Sequence, residues 1–499
     1  MSLAIILSSS SFFFTDHIDK LIKSKQATQE QINYAIKLGL PIALKYQLSA
    51  TVVGSHQWLY YAAQLAETDN QVAFALVDFY HSHDDLDTAL IWAKRAVKLN
   101  SEPAKIYLSK HYFSQGEYQL IIDTLSPIET RPEALALLIE VAIIKGDYAF
   151  INSNIASLSG GVGGEKLLAL MYKYQIVAPS FSDQIHHMES TALPTCIANV
   201  QMFATTLKNL QKVDKLINEF KDHPLNSYFC FNAVRYIPEH EVRCDYAKNT
   251  AIKCDESMWG NIKHSVKTRY LGLMLSAGGA NVNAGIMYLD ANDNVKVFAH
   301  ELSHLLGFID EYALAKNHQQ CLKNQTELSS HNISVISTFY QGTKEQARTK
   351  LLKKLSWASV IKSTTPILTE TKNGWLAGTP DDFESNNLLD NDRYFNDELD
   401  KEIIGLYTSD TCNSHITTAF KPLKRFTQLT YFTSDFPQAY IRILNQDNKK
   451  YLMPSFHYNV AKSLLKNGQE KLAFIWLDKA LSREGEGTPR YEKIKRGVY

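Results

Sequence analysis

Apolar positions along this chain change their period twice. Over residues 26–158 they recur every three or four residues, the spacing of helices that bury one face. The clearest stretch is Leu86-Asp-Thr-Ala89-Leu-Ile-Trp-Ala93-Lys-Arg-Ala96-Val97, and residues 72–80 repeat the pattern before it. Gly116-Glu-Tyr118 and Gly146-Asp-Tyr148 punctuate the run, at separations of 32 residues from Leu86 to Tyr118 and 30 from Tyr118 to Tyr148. This predicts helical hairpins ending at Ser159-Gly160-Gly161-Val162-Gly163-Gly164, read as a flexible breaker that opens a linker over 159–191. From residue 192 the texture becomes β-branched and aromatic. Strands are expected over 196–203, 228–237, 270–276 and 284–289. An amphipathic helix over 207–220 follows the first strand, and another opens after Asp293 or Asn294, either of which caps a helix well. A last hairpin, residues 459–465 and 472–481 around Gly468, returns to the helical period over 449–499.

The period near 32 residues and the helix–turn–helix grain resemble tetratricopeptide repeats, although the Trp-Leu-Gly-Tyr signature of their first helix is missing. The resemblance implies hairpins that stack into a solenoid and offer a surface to a protein partner. The fold class expected is therefore multidomain. An all-α repeat-like region spans 26–158, an α+β domain spans 192–448, and a repeat-like hairpin closes the chain.

Composition narrows the function classes. The 499 residues carry 52 Lys and Arg against 52 Asp and Glu, which leaves no global field for nucleic acid or an anionic membrane surface. No apolar run approaches the ~18–20 residues of a membrane span. Residues 3–14 within the N-terminal segment 1–25 have the apolar core of a secretion signal, but no Lys or Arg precedes them, so a buried first segment is the competing reading.

One constellation carries chemistry. In Val297-Phe-Ala-His300-Glu301-Leu-Ser-His304-Leu-Leu-Gly307-Phe-Ile-Asp310-Glu311-Tyr312, His300 and His304 stand one turn apart on a helix face. Two neutral imidazoles so placed can hold a zinc ion at ~2.0–2.1 Å, and Glu301, about 100° around the helix, can reach a water there as general base. With 16 His in the chain, His-Glu-x-x-His arises by chance in roughly one such chain in forty, and the added Gly307 and Asp310 make chance rarer still. Zinc needs a third protein ligand. Gly307 lets the chain turn back, so Asp310 is the favoured ligand and Glu311 the rival.

This stretch resembles the metzincin zinc endopeptidases, with Asp310 where their third His stands. The expected strand and helix order over 196–307 resembles their upper subdomain. More narrowly, Val-Phe-Ala-His-Glu with Asp-Glu-Tyr is similar to the bacterial immunoglobulin A peptidase-like metallopeptidases, with Trp357, Gly405-Leu-Tyr407 and Phe420-Lys-Pro422 as weak landmarks. The resemblance implies a turn beneath the metal at Thr427-Gln-Leu429-Thr-Tyr431, with Leu429 in place of the usual Met, and a metal or oxyanion contact from Tyr431. It also implies that an extended peptide substrate adds to the strand before the active helix, here residues 284–289.

The six cysteines all lie after residue 195, and no Cys-x-x-Cys occurs. Their positions suggest Cys244 with Cys254, Cys321 with Cys412 across the two walls of the site, and Cys196 with Cys230. Such pairs imply the periplasm or the exterior of the cell, and six reduced, mostly buried thiols in a cytosolic protein are the competing reading. His186-His187 reads as a solvated pair. Asp390, Asp392 and Asn396 lack the glycine of a calcium loop, and Asn324 and Asn332 head glycosylation sequons. The function expected is a zinc-dependent endopeptidase holding one catalytic ion, with a protein or peptide substrate and neither nucleic acid nor an integral membrane segment. The alternative is a repeat-based interaction scaffold whose zinc domain is not proteolytic.

Overall fold

A computed structural model describes residues 15–160, 162–177, 196–245, 247, 250–260, 266–315, 318, 321, 327–383, 402–412 and 417–497. The apolar segment 3–14, His186-His187, Asn324 and the acidic stretch of Asp390, Asp392 and Asn396 lie outside them. The chain divides into two compact units, one of residues 1–142 and 149–169, the other of 143–148 and 170–499.

The first unit is a succession of helices, and those from Gln29–Lys37 to Tyr118–Leu125 each pack on their sequence neighbours. Helices begin at Leu86, Tyr118 and Tyr148, the three positions the punctuation singles out. The reason is local. Asp85 accepts from the Thr88 N–H and so caps the helix Leu86–Lys98, while Gly116 ends Glu102–Gln115 in the left-handed conformation at φ 76°. Ala89, Ala93 and Ala96 are fully buried, and these small side chains let the helix approach Ala73, Leu76 and Val77 of Asn70–Ser82. The glycine-rich stretch is not the open breaker expected. It runs into a helix, Val162–Lys173, whose apolar turns after Gly164 outweigh the two glycines at its start.

The second unit is built on a mixed sheet. Its strands are β1 (Ala198–Ala204), β2 (Phe229–Phe231), β3 (Arg235–Tyr236), β4 (Tyr270–Leu275), β5 (Asn281–Asn283) and β6 (Ile286–Asp290). The order is β2-β1-β4-β6-β5, with β3 also paired to β1, and every pairing is parallel except β5 with β6. Two expectations change here. The strand foreseen over 228–237 is two short strands, β2 and β3, separated by Asn232-Ala233-Val234. The strand over 284–289 is β6, which sits between β4 and β5, so the edge belongs to Asn281–Asn283.

All six residues of β4 and all five of β6 are buried, as parallel strands covered on both faces require. On one face Leu271, Leu273 and Leu275 share a core with Phe456, Val460, Leu464 and Trp476 of the C-terminal hairpin. That hairpin, α3 (Phe456–Lys466) and α4 (Glu470–Leu481), thus belongs to the same compact unit as the sheet. On the other face lie α1 (Leu207–Glu219) and α2 (Val295–Leu305), and the Tyr270 hydroxyl reaches across to donate to the Leu305 carbonyl. A smaller antiparallel sheet joins Tyr407–Ser409, Thr417–Lys421 and Ser334–Ser337. The three expected disulfides are formed: Cys196–Cys230, Cys244–Cys254 and Cys321–Cys412. No helix among the described residues is long and apolar enough to cross a membrane.

Candidate metal centre

Helix α2 brings the chemistry together because its start and end are both fixed. Asn294 caps it, its side chain accepting from the N–H groups of Lys296 and Val297. At the other end Gly307 adopts φ 96°, and a Cβ there would lie 2.2 Å from the Tyr451 carbonyl oxygen. Only glycine meets both conditions, and the turn it makes carries residues 308–310 back over the helix. Gly307→Ala is expected to destabilise the protein by about 3 kcal/mol or more, from left-handed strain plus the clash, seen as a lower urea midpoint.

His300, His304 and Asp310 converge. The two Nε2 atoms are 3.2 Å apart, and Asp310 Oδ1 lies 3.0 Å from the first and 3.4 Å from the second. His300 Nδ1 donates to the Gln428 carbonyl at 2.9 Å and His304 Nδ1 to the Phe308 carbonyl at 3.0 Å. A carbonyl only accepts, so each neutral ring keeps its proton on Nδ1 and turns a bare Nε2 lone pair to the centre. The buried Asp310 Oδ1 has no hydrogen-bond donor. Three such atoms at these separations need a proton or a cation between them. Tetrahedral ligands at ~2.0–2.1 Å from zinc stand about 3.3 Å apart, which is the spacing found. The electrostatics agree. Burial acts to lower the His304 pKa, but the Asp310 carboxylate holds it up at about 9, so the pair draws a proton into the place a cation would otherwise take. Burial likewise acts against the Asp310 charge, yet His304 and His300 keep that carboxyl well below the usual range. The cluster favours a positive charge at its centre.

Glu301 is not one of the converging donors. Its side chain is buried on α2, and burial raises its carboxyl above the ordinary glutamate value, against the pull of His304 and His300. Glu311, the rival ligand, faces away into a structural knot. Its carboxylate is fully buried and accepts from Lys421 Nζ, Thr427 Oγ1, Thr430 Oγ1, Asn332 Nδ2 and the Tyr440 hydroxyl. The knot holds the turn at residues 427–430 beneath His300, with Leu429 fully buried and its carbonyl accepting from the Glu311 N–H. The backbone of Asp310 is fixed too, its carbonyl accepting from Thr411 Oγ1 at 2.7 Å.

Tyr431 stands apart from this cluster. It is 55% exposed and packs edge-on against Phe426, and among the described residues no hydrogen bond or ring contact links it to the three donors. Phe432 instead sets its ring against His300, with centroids 4.7 Å apart. Tyr312 lies against Asp310. Burial first, and that carboxylate second, push its phenol pKa up.

Residues that sequence reasoning passed over are the ones that aim the ligands. Gln428 presents its carbonyl to His300 and is itself pinned by donating to the Lys296 carbonyl and bonding His223 Nε2. Asn332, noted only as a sequon, is fully buried and holds the Ile309 backbone through two hydrogen bonds. A backbone carbonyl has no signature in sequence, so neither Gln428 nor Phe308 was visible as a positioning group. Comparisons with protein-family models, with curated proteins and with solved structures return no match.

Proposed function

We propose that this protein is a zinc-dependent endopeptidase of metzincin-like design, flanked by tetratricopeptide-like repeats. The observation that carries the reading is the convergence of three bare acceptor atoms, His300 Nε2, His304 Nε2 and Asp310 Oδ1, at tetrahedral spacing beside a buried carboxylate. Those three side chains would hold the ion. Bound there, zinc supplies Lewis acidity toward a scissile carbonyl and acidifies a water. Glu301 takes the proton of the attacking water and returns it to the departing amine, a task suited to a carboxyl whose proton affinity burial has raised. Gln428 and Phe308 keep both imidazoles in the tautomer that leaves Nε2 bare.

The substrate is an extended peptide. Among the described residues strand β5 pairs only with β6, and a peptide would add as a further strand along its other side, past the Asn283 carbonyl that Asn459 holds. The strand–helix order and the buried turn at Leu429 support the metzincin likeness, with Leu429 packing where that family has Met. Helix starts at Leu86, Tyr118 and Tyr148 support the repeat reading, whose surface would serve a protein partner. Three disulfides support an oxidising location, the periplasm or the exterior.

Elemental analysis joined to a casein assay tests the reading. One zinc per chain is expected, with hydrolysis abolished by a chelator and restored by added zinc. Zinc bound at full occupancy without cleavage of casein or of a broad peptide library would favour the non-proteolytic scaffold.

A further inference from the structure

Beside His304 a cleft of about 950 Å³ opens between strand β5 and helix α3. Its size suits peptide side chains. Val282 and Asn283 of the edge strand form one wall. The other wall is a single stripe of α3, Asn459, Lys462, Ser463 and Lys466, at i, i+3, i+4 and i+7. The opposite face of the same helix, Val460, Ala461 and Leu464, is locked into the core of the sheet. Asn459 Nδ2 donates to the Asn283 carbonyl at 2.9 Å and so ties the helix to the edge strand. The stripe is therefore held at a fixed distance from the strand on which a peptide would lie.

The charge of the cleft is unbalanced. Lys462 and Lys466 are exposed, stand one turn apart, and neither pairs with a carboxylate among the described residues. Like charges at this spacing repel each other in a free helix. The one carboxylate among the described lining residues, Glu256, accepts from Asn283 Nδ2 at 3.1 Å and the Tyr288 hydroxyl at 3.4 Å. Those partners are neutral and leave the Glu256 charge in place, so the two lysines give the described lining an excess of one positive charge. Beneath them the wall is apolar, with Phe308, Ile309, Met453 and Pro454.

We propose that this cleft selects acidic peptides: the substrate carries Asp or Glu on the side of the scissile bond that faces α3, its carboxylates meeting Lys462 and Lys466 and its aliphatic stems lying on the apolar floor. The inference rests on the peptidase reading for the word substrate, but its test does not need turnover. The C-terminal hairpin then acts as a specificity element as well as covering the sheet.

The experiment uses the zinc-loaded full chain carrying Glu301→Gln, and measures by fluorescence anisotropy the binding of labelled peptides of one length that differ only in bearing glutamate, alanine or lysine. The glutamate peptide is expected to bind about tenfold tighter than the lysine peptide at low ionic strength, with the gap narrowing as salt is added. Lys462→Glu combined with Lys466→Glu is expected to reverse the order. Both positions are exposed, so the substitutions leave the core intact, and an unchanged melting temperature checks it. Equal binding of the three peptides, no binding of any, or an order that survives the charge reversal would overturn the proposal. A parent protein that binds acidic peptides in this way but cleaves none would instead count against the peptidase reading alone.

Discussion

Replacing Glu301 with glutamine is expected to leave the zinc content unchanged while cutting peptide hydrolysis by about 10²–10⁴-fold. The two halves of that result have separate physical causes. Zinc is retained because the donor atoms that converge are His300 Nε2, His304 Nε2 and Asp310 Oδ1, and the amide leaves their spacing and their Nδ1 anchors in place. Hydrolysis falls because an amide cannot accept the proton that the attacking water must lose. Folding should not suffer. A buried carboxylate costs free energy unless it is protonated or compensated, and a neutral amide of the same shape removes that cost. The melting temperature of the variant should therefore equal or exceed that of the parent. Elemental analysis, initial rates on a peptide substrate and a thermal melt of the same preparation together decide it. Near-parental rates would remove Glu301 as the base, and loss of zinc would make it a ligand.

What sequence shows well here is local, and what it hides is tertiary. Helix α2 was legible from its cap, its i, i+4 histidines and the glycine at its end, because each rests on geometry within a few residues. The starts of β4 and β6 were legible to within two residues because buried parallel strands are written as apolar runs, and β1 was legible to the same margin although Asn199 and Gln201 interrupt it. The edge of the sheet was not. Asn281-Val282-Asn283 is short and polar, as unprotected edges often are, and nothing local says that β6 folds inside it. Nor does any pattern show that the C-terminal hairpin lies on the sheet. Its apolar stripe looks the same whether it meets another hairpin or Leu271, Leu273 and Leu275. At the candidate metal centre the proposed ligands were visible and their supports were not. Lys421, noted only within the Phe420-Lys-Pro422 landmark, neutralises Glu311 from 110 positions away. Tyr431 was placed by likeness to a motif, whereas the phenol that lies against Asp310 is that of Tyr312, inside the quoted motif but given no role.

The adjacent acids Asp310 and Glu311 should part company when each is replaced by alanine. Sequence alone makes them near equivalents, one carbon different and one residue apart, but the chain passes them in opposite directions. Asp310 points its Oδ1 at the two imidazole Nε2 atoms, and Tyr312 is its other side-chain partner. Asp310→Ala therefore removes the proposed ligand and one contact to Tyr312. Zinc affinity is expected to fall well beyond the ~10–100-fold typical of losing an outer-shell partner, with the metal-free protein as stable as before or more so. Glu311 lies outside the His300, His304 and Asp310 group and accepts from five donors, among them the buried ammonium of Lys421. Glu311→Ala leaves that charge and four hydroxyl or amide donors without their acceptor. It is expected to cost about 3–5 kcal/mol, the range for breaking a buried ion pair from one side. The turn at residues 427–430 loosens with it, so zinc binding in the folded fraction should weaken only through the Gln428 carbonyl that orients His300. Competition of each variant against a zinc chelator, with urea denaturation of the metal-free proteins, separates the two effects. Asp310→Ala should fail in the first measurement and pass the second, and Glu311→Ala should do the reverse. The opposite ranking in the chelator competition would make Glu311 the ligand, and two variants with unaltered zinc affinity would move the third ligand elsewhere in the chain.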